Sequence, residues 1–390
     1  MSRISPIIGN PGVLLGICLL LTACIIPVSS SPADLPPAET NSDLQKIIES
    51  GIKTADIPGV QIEVATPDWT WNAAAGDASA LNKTPAVPGM YFLIASITKM
   101  FTSIAIQELA EEGKLSLNDT IDQWLPEDLV SRIPDGDRIT IRELLYHTSG
   151  IADYDEEAII MQELQDPDTP VSYDAAIEQG INASPLFPVG TNYSYSNVNY
   201  LLLTKIIDKA AGIPFEEYIN QTIFQSAGLN QTSFHRRNLL PGSSMDPSEQ
   251  EADGTVQRYG DVYVEFDRGA GDIISTTSDL NRFHRALREG RLISLTSLSD
   301  MENMTPQSMK TENNATSGYG LGYSVNHNAD QNITVKGHSG GYPGSFSYLY
   351  YLPELDTYIS MNLNTNRNYS EAFQDIFHRI LDYLSEEYRR

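Results

Sequence analysis

With 390 residues, 41% of them hydrophobic, 22 Pro and 27 Gly, the chain has an ordinary globular composition, long enough for one large catalytic unit or two lobes. Its formal charge of −26, from 51 acidic and 25 basic residues, argues against nucleic acid or an anionic lipid surface as partner. The acids are scattered along the chain, which suits solubility or a saline habitat better than a dedicated cationic partner.

Arg3 is the only charge ahead of an apolar run from Val13 to Leu21, and Leu21-Thr22-Ala23-Cys24 follows. That order reads as a secretory signal. Its end resembles the lipobox of bacterial lipoproteins, which implies a signal peptide over 1–23, lipidation of Cys24, and export to a bacterial membrane, anchored on its periplasmic or extracellular face. Both cysteines, Cys18 and Cys24, lie in this segment. An exported domain beyond it would have no disulfide and no thiolate metal site. Residues 24–41, rich in Ser, Pro and Ala, read as a flexible tether.

A domain is expected over 42–390. Ser42 and Gln45 suggest a capping box, with Leu44, Ile47, Ile48 and Ile52 as a helical stripe. Val60, Ile62 and Val64 alternate as a strand, and Trp69 to Ala75 reads as its hairpin partner. A helix with Phe101, Ile104, Ala105 and Leu109 on one stripe should end at Gly113. Thr140 to Glu143 caps another, leading into His147-Thr148-Ser149-Gly150. Residues 153–168 are acidic and read as loop. Helices are expected around Asp174, over Asn199–Ala211 and over Phe215–Phe224, and a polar loop over Ser243–Gly254. Strands follow near Val262–Val264, then a helix with Leu280, Phe283 and Leu287 on one face. Gln331–Lys336, Ser345–Leu352 and Thr357–Leu363 read as strands, and a last helix starts at Ser370. This order predicts an α+β fold. A sheet lobe (about 42–94 and 255–390) flanked by N- and C-terminal helices would carry an inserted helical lobe (about 95–254), with both chain ends in one antiparallel sheet.

Three stretches carry chemistry. In Tyr91-Phe92-Leu93-Ile94-Ala95-Ser96-Ile97-Thr98-Lys99 a serine and a lysine are three apart where a helix begins, and so share a face. A lysine desolvated in an apolar pocket can take the serine proton, and free N–H groups at the helix start suit an oxyanion. The plain alternative for Ser96 is a helix cap. Ser50-Gly51-Ile52-Lys53 has the same spacing, but its serine should end a helix at the glycine. The loop Pro188–Asn197 offers Tyr195 and Asn197, a phenol that can relay protons if a nearby cation lowers its pKa, and an amide that can bond a substrate amide. A turn followed by an N-cap is the structural alternative.

The third stretch is Gly337-His338-Ser339-Gly340-Gly341. It fits the Gly-x-Ser-x-Gly nucleophile elbow, which requires a helix directly after Ser339 and a later acid and histidine. Tyr342-Pro343-Gly344 and another strand follow instead, so the elbow is rejected. Read as a strand, His338 and Gly340 share a face, the glycines admit a substrate backbone, and the Gly341 N–H can serve as second oxyanion donor beside that of Ser96.

Together, Ser96-x-x-Lys99, Tyr195-Ser196-Asn197 and His338-Ser339-Gly340 resemble the motifs of the serine β-lactamase-like, penicillin-recognising enzymes, which include class C β-lactamases, D,D-carboxypeptidases and related esterases and D-amino-acid peptidases. Leu144–Ile151 and Gly269–Thr276 add to the likeness, which runs from about Ser42 onward. The resemblance implies Ser96 as acylated nucleophile, Lys99 and Tyr195 as its proton carriers, and Asn197, His338, Gly340 and Gly341 as substrate-binding residues. His338 stands where β-lactamases of this family usually have lysine, which points toward D,D-carboxypeptidases and esterases. His147 is read as structural. The expected substrate is a small peptide, amide or ester, with the D-Ala-D-Ala end of peptidoglycan stem peptides as natural candidate and β-lactams as alternative. No metal or cofactor is expected. A catalytically dead binding protein would be marked by loss of Ser96, Lys99 or Tyr195, and all three are present.

Overall fold

The computed structural model describes residues 40–235, 242–250, 255–260, 262, 264–365 and 367–387. The expected signal, the Cys24 lipidation site and nearly all of the tether lie outside the described residues. Among those described, no helix is long and apolar enough to cross a membrane.

Helix α1 (Ser42–Ala55) precedes the hairpin β1 (Gly59–Ala65) and β2 (Thr70–Gly76). Strand β3 (Phe92–Leu93) enters a 3-10 turn (Ala95–Ile97) and then α2 (Thr98–Glu111). Next come α3 (Glu127–Val130), α4 (Ile141–Leu145), α5 (Glu156–Gln165), α6 (Tyr173–Asn182) and α7 (Asn197–Ala211). Helix α8 (Phe215–Ile219) continues through a π turn into α9 (Gln225–Ala227). Strands β4 (Ser233–Phe234), β5 (Ser248–Gln250), β6 (Val256–Arg258) and β7 (Ile273–Ser275) lead to α10 (Thr277–Arg288) and α11 (Leu295–Glu302). The chain closes with β8 (Lys310–Glu312), β9 (Ala315–Tyr319), β10 (Ser324–Asn328), β11 (Ile333–Tyr342), β12 (Ser345–Leu352), β13 (Thr357–Leu363) and α12 (Tyr369–Glu387).

The main sheet has eight antiparallel strands in the order β2-β1-β13-β12-β11-β10-β9-β8. The register Val60↔Leu363 and Ile62↔Met361 joins the two ends of the domain, as the sequence predicts. On one face α1 and α12 close a core of Leu44, Ile48, Val60, Ile62, Met361, Ile376 and Ile380. On the other, α10 covers the polar positions of β1. Glu63 there accepts from Asn281, Asn72 and Ser278, so β1 is buried on both faces despite its alternating pattern. Helix α2 is buried nearly all round, with Phe101 stacked on Phe283 of α10 at 3.8 Å.

Several local expectations are corrected. The α1 cap is Asn41, whose side chain accepts from the Asp43 and Leu44 N–H groups, and there is no Ser42–Gln45 box. Helix α1 also runs through Gly51, because a Cβ there would lie 2.3 Å from Ile376 of α12 and only glycine lets the helices cross so closely. The acidic stretch 153–168 contains helix α5. Asp155 caps it and Glu156 and Glu157 face its positive end, so the acids that suggested a loop begin a helix. Val262 and Val264 lie in no strand, the loop after Ser243 holds β5, and β11 extends six residues past Lys336. Helix α11 and strands β8 to β10 have too weak an apolar pattern to be read from sequence. The Thr140–Glu143 capping box is present.

Candidate active site

The short strand β3 delivers Ser96 to the start of α2 through Ala95, whose φ of 47° is a strained conformation for a non-glycine residue. Ser96 caps nothing: neither the 3-10 turn nor α2 has a side-chain cap bond. Its Oγ lies 3.0 Å from Lys99 Nζ. Lys99 is 0% exposed, and its Nζ also reaches Asn197 Oδ1 at 2.7 Å and the Ala270 carbonyl at 2.8 Å. Burial lowers its pKa, while the carboxylates of Asp267, Asp153, Glu156 and Asp272 pull it back up. As an ammonium, Lys99 donates to all three oxygens. As an amine it keeps two protons for the two carbonyl-type oxygens, which can only accept, and its lone pair is left facing Ser96 Oγ. The geometry therefore suits proton abstraction from Ser96.

Tyr195 reaches the same point from the loop before α7. Lys99 Nζ lies 5.0 Å from its ring centroid, and Ser96 is near enough to act against the rise in its pKa, though among the described residues the buried phenol oxygen has no formed hydrogen bond. Burial dominates and raises its pKa well above 10, so the resting group is a neutral phenol. This corrects the expectation of a cation-lowered tyrosine. Asn197, the first residue of α7, is engaged at both ends: Oδ1 accepts from Lys99, while Nδ2 donates to Asp153 at 3.2 Å. The amide thus orients Lys99 and keeps one N–H for a substrate.

His147 braces this loop. Its Nδ1 accepts from the Ser196 N–H at 3.2 Å, its carbonyl accepts from the Ser194 N–H, and its ring lies 4.2 Å from that of Tyr195. Burial holds its pKa well below 6.5. His147 thus holds the backbone of this loop in place, and its ring packs against Tyr195.

His338 is a buried strand residue, not an exposed turn histidine. Its Nδ1 donates to the Ser339 carbonyl at 2.5 Å, so Nε2 accepts from the Tyr319 hydroxyl at 2.9 Å. Burial lowers its pKa to about 3, and the ring is neutral. It lies 6.5 Å from the Tyr195 ring. Pairing with β10 ends at Gly337, so the edge of β11 beyond it is free of that strand. Gly340 presses this part of β11 onto the turn that holds Ser96: a Cβ there would lie 2.1 Å from the Ile94 carbonyl oxygen. Gly341 is exposed on the same stretch. The continuous strand from Ile333 to Tyr342 also bears out rejection of the nucleophile elbow.

The structure thus gathers Ser96, Lys99, Tyr195, Asn197, His338 and Gly340 around one point. It adds residues that sequence reasoning missed. Asp153, in a stretch read as loop, accepts from the Asn197 N–H at 2.9 Å. Asp267 accepts from Tyr154 at 2.6 Å and its pKa is raised by burial to about 6, while burial raises that of Glu156 to about 8. Tyr319 lies on an unpredicted strand. The only sequence signal for the Ala270 carbonyl was the Gly269–Thr276 stretch. Among the described residues no cluster of His, Cys, Asp or Glu is arranged to hold a metal ion.

An antiparallel sheet between helices, with a serine and a buried lysine at the start of a central helix, is the architecture of a β-lactamase-like hydrolase. The family described as Beta-lactamase matches residues 44–384, and the chain belongs to it. It is 29% identical over 365 residues to Penicillin-binding protein 4* of Bacillus subtilis (strain 168), covering 87% of this chain and 75% of that one. It is 30% identical over 284 residues to the Putative penicillin-binding protein PbpX of the same organism, covering 73% of this chain and 66% of that one. The structure of a D-stereospecific amidohydrolase from Streptomyces sp. matches with a TM-score of 0.77 at 26% identity, covering 87% of this chain and 99% of that one.

Proposed function

We propose that the protein is an exported serine hydrolase that works through an acyl-enzyme on Ser96 and cleaves D-amino-acid amide or peptide bonds, as a D-alanyl-D-alanine carboxypeptidase-like peptidase or a related amidase or esterase. The observation that carries this reading is the fully buried Lys99 amine 3.0 Å from Ser96 Oγ. Lys99 takes the serine proton as Ser96 attacks the scissile carbonyl, and the bond to the leaving nitrogen or oxygen breaks as that proton reaches it through Lys99 and Tyr195. The N–H groups of Ser96 and Gly341 hold the oxyanion, and water then releases the acyl group. Asn197, Gly340 and His338 position the substrate. The similarity to a D-stereospecific amidohydrolase supports the substrate class. The neutral His338 supplies no fixed cation, which favours peptides and esters over β-lactams. Export and the lipid anchor at Cys24 rest on the N-terminal pattern alone.

The test is a time course of labelling by a fluorescent penicillin, with Ser96→Ala as control, beside hydrolysis of D-alanyl-D-alanine peptides and D-amino-acid amides. Stable Ser96-dependent label with D-peptide or D-amide turnover is expected. Label that fades while penicillin is consumed would make the protein a β-lactamase. No label and no amide turnover, with esters still cleaved, would overturn the substrate assignment.

A further inference from the structure

Lys99 can take a proton from Ser96 only while its lone pair faces that serine, and the orientation of a neighbouring amide decides this. Of the two oxygens that receive the amine protons, the Ala270 carbonyl at 2.8 Å is fixed by the backbone, whereas the Asn197 side chain can turn over. Turned over, it would set Nδ2 in place of Oδ1, 2.7 Å from Nζ, and donate an N–H into the lone pair. The amine would then point its own protons at the Ala270 carbonyl and at Ser96 Oγ. Ser96 would receive a hydrogen bond from the group that has to accept its proton.

Asp153 fixes which way the amide lies. Three N–H groups converge on its side chain: Oδ1 accepts from the Asn197 backbone at 2.9 Å and from the Tyr154 backbone at 3.0 Å, and Oδ2 accepts from Asn197 Nδ2 at 3.2 Å. Donors on both oxygens suit a carboxylate, which can only accept. The turned-over amide is excluded, because Asn197 Oδ1 would then face Asp153 Oδ2, two acceptors with no proton between them. The two backbone bonds hold the carboxylate in turn, so the chain of orientation runs from the loop at 153–154 through Asn197 to Lys99.

We propose that Asp153 is a positioning residue for the acylation step, holding the Asn197 amide so that its oxygen faces Lys99 and the amine lone pair is left for Ser96. This rests on the acyl-enzyme reading above and adds a residue that acts on Lys99 through Asn197. One variant has a specific consequence. In Asp153→Asn the carboxamide Oδ1 keeps both backbone N–H groups, so the loop stays in place, and the new Nδ2 takes the position of Oδ2. Two donors would meet across the 3.2 Å that now separates Oδ2 from Asn197 Nδ2, and Asn197 turns over to relieve this.

The test follows kcat/KM for a simple ester against pH in the parent, Asp153→Asn, Asn197→Ala and the double variant, with thermal melting as the check on folding. Asp153→Asn should lose about a hundredfold at the plateau, the lower end of what a general base contributes. In the Asn197→Ala background the same change should lower the rate by less than about threefold, since no amide remains to be turned. Burial lowers the Lys99 pKa and the Asp153 charge works against that, so the acid limb, where Lys99 loses its proton, should move to lower pH in Asp153→Asn. The other groups around Lys99 are common to both proteins: the carboxyls of Glu156, Asp267 and Asp272, the neutral rings of His147 and His338, and the phenols of Tyr195 and Tyr200. Asp153→Ala, which leaves the amide without a fixed partner, is the second variant and should show the same non-additivity with Asn197→Ala. A plateau for Asp153→Asn within about threefold of the parent, losses that multiply in the double variant, or an acid limb that stays or rises overturns the proposal. Ester cleavage that survives Ser96→Ala removes the acyl-enzyme reading itself, whereas those three results leave it in place.

Discussion

A methyl group at position 340 should pull the two halves of the site apart. The Cβ of an alanine there would lie 2.1 Å from the Ile94 carbonyl oxygen and 2.9 Å from Ser347 Oγ. A carbon and a carbonyl oxygen approach no closer than about 3.3 Å, so strand and turn must separate by about 1 Å. Neither can yield cheaply. The Ile94 oxygen also accepts from Ser347 Oγ at 3.0 Å, and β11 is held by its register with β12, Gly340 opposite Ser347. Overpacking of this kind costs about 1–3 kcal/mol of stability. The effect on catalysis should be larger in proportion, because the turn carries Ser96 and the strand carries Gly341, and a misplacement of about 1 Å can cost about a hundredfold in rate. Gly340→Ala should therefore lose about a hundredfold in kcat/KM on an ester substrate while still melting cooperatively. The control is Gly242→Ala, whose Cβ would meet nothing within 4 Å and which lies outside the site, and it should stay within about threefold of wild type. Kinetics and thermal melting of both variants make the test. Wild-type rates in a folded Gly340→Ala protein would refute the idea that close contact between β11 and the turn sets the site.

Tyr195→Phe removes a buried hydroxyl that makes no hydrogen bond among the described residues, so its stability should change by less than about 0.5 kcal/mol while kcat falls by at least about a hundredfold; near-normal turnover would remove Tyr195 from the proton path. His338 should stay neutral, its ring carbon protons showing no NMR titration between pH 5 and 8, and a midpoint near 6.5 would refute the burial argument. Because the unfolded ring takes a proton near pH 6.5 and the folded ring resists until about 3, His338 withdraws stability as pH falls through that window, at most about 1.4 kcal/mol per pH unit. Glu156 works in the opposite sense. Its folded pKa of about 8 lies above the ordinary 4.5, so the folded state holds the extra proton and gains stability as pH falls between those values. Glu156→Gln should accordingly be more stable than the parent above pH 8 and about equal to it near pH 4, below the ordinary carboxyl value, as read by denaturant unfolding.

The reach of the sequence was set by how local each feature is. The Ser96–Lys99 pair was legible because both residues belong to one helical turn, where spacing alone fixes which side chains share a face. The hairpin, the closing strands and the terminal helices were legible for the same reason, since apolar period reports burial on one face. The resemblance carried Tyr195, Asn197 and His338 only as types at matching motifs. What they do was decided by chain segments far apart in sequence. Asn197 holds Lys99 because α7 packs on α2, His338 is neutral because Tyr319 and the sheet enclose it, and Tyr195 keeps its proton because burial outweighs the nearby cation. The acids at 153 and 156 looked like loop residues because their helix start is acidic, and Asp267 carried no local signal at all. Burial is a property of the assembled chain, and it sets each proton affinity in this site through desolvation. The nucleophile and its neighbour could be read from nine consecutive residues, whereas their protonation states exist only once the strands and helices have closed around them.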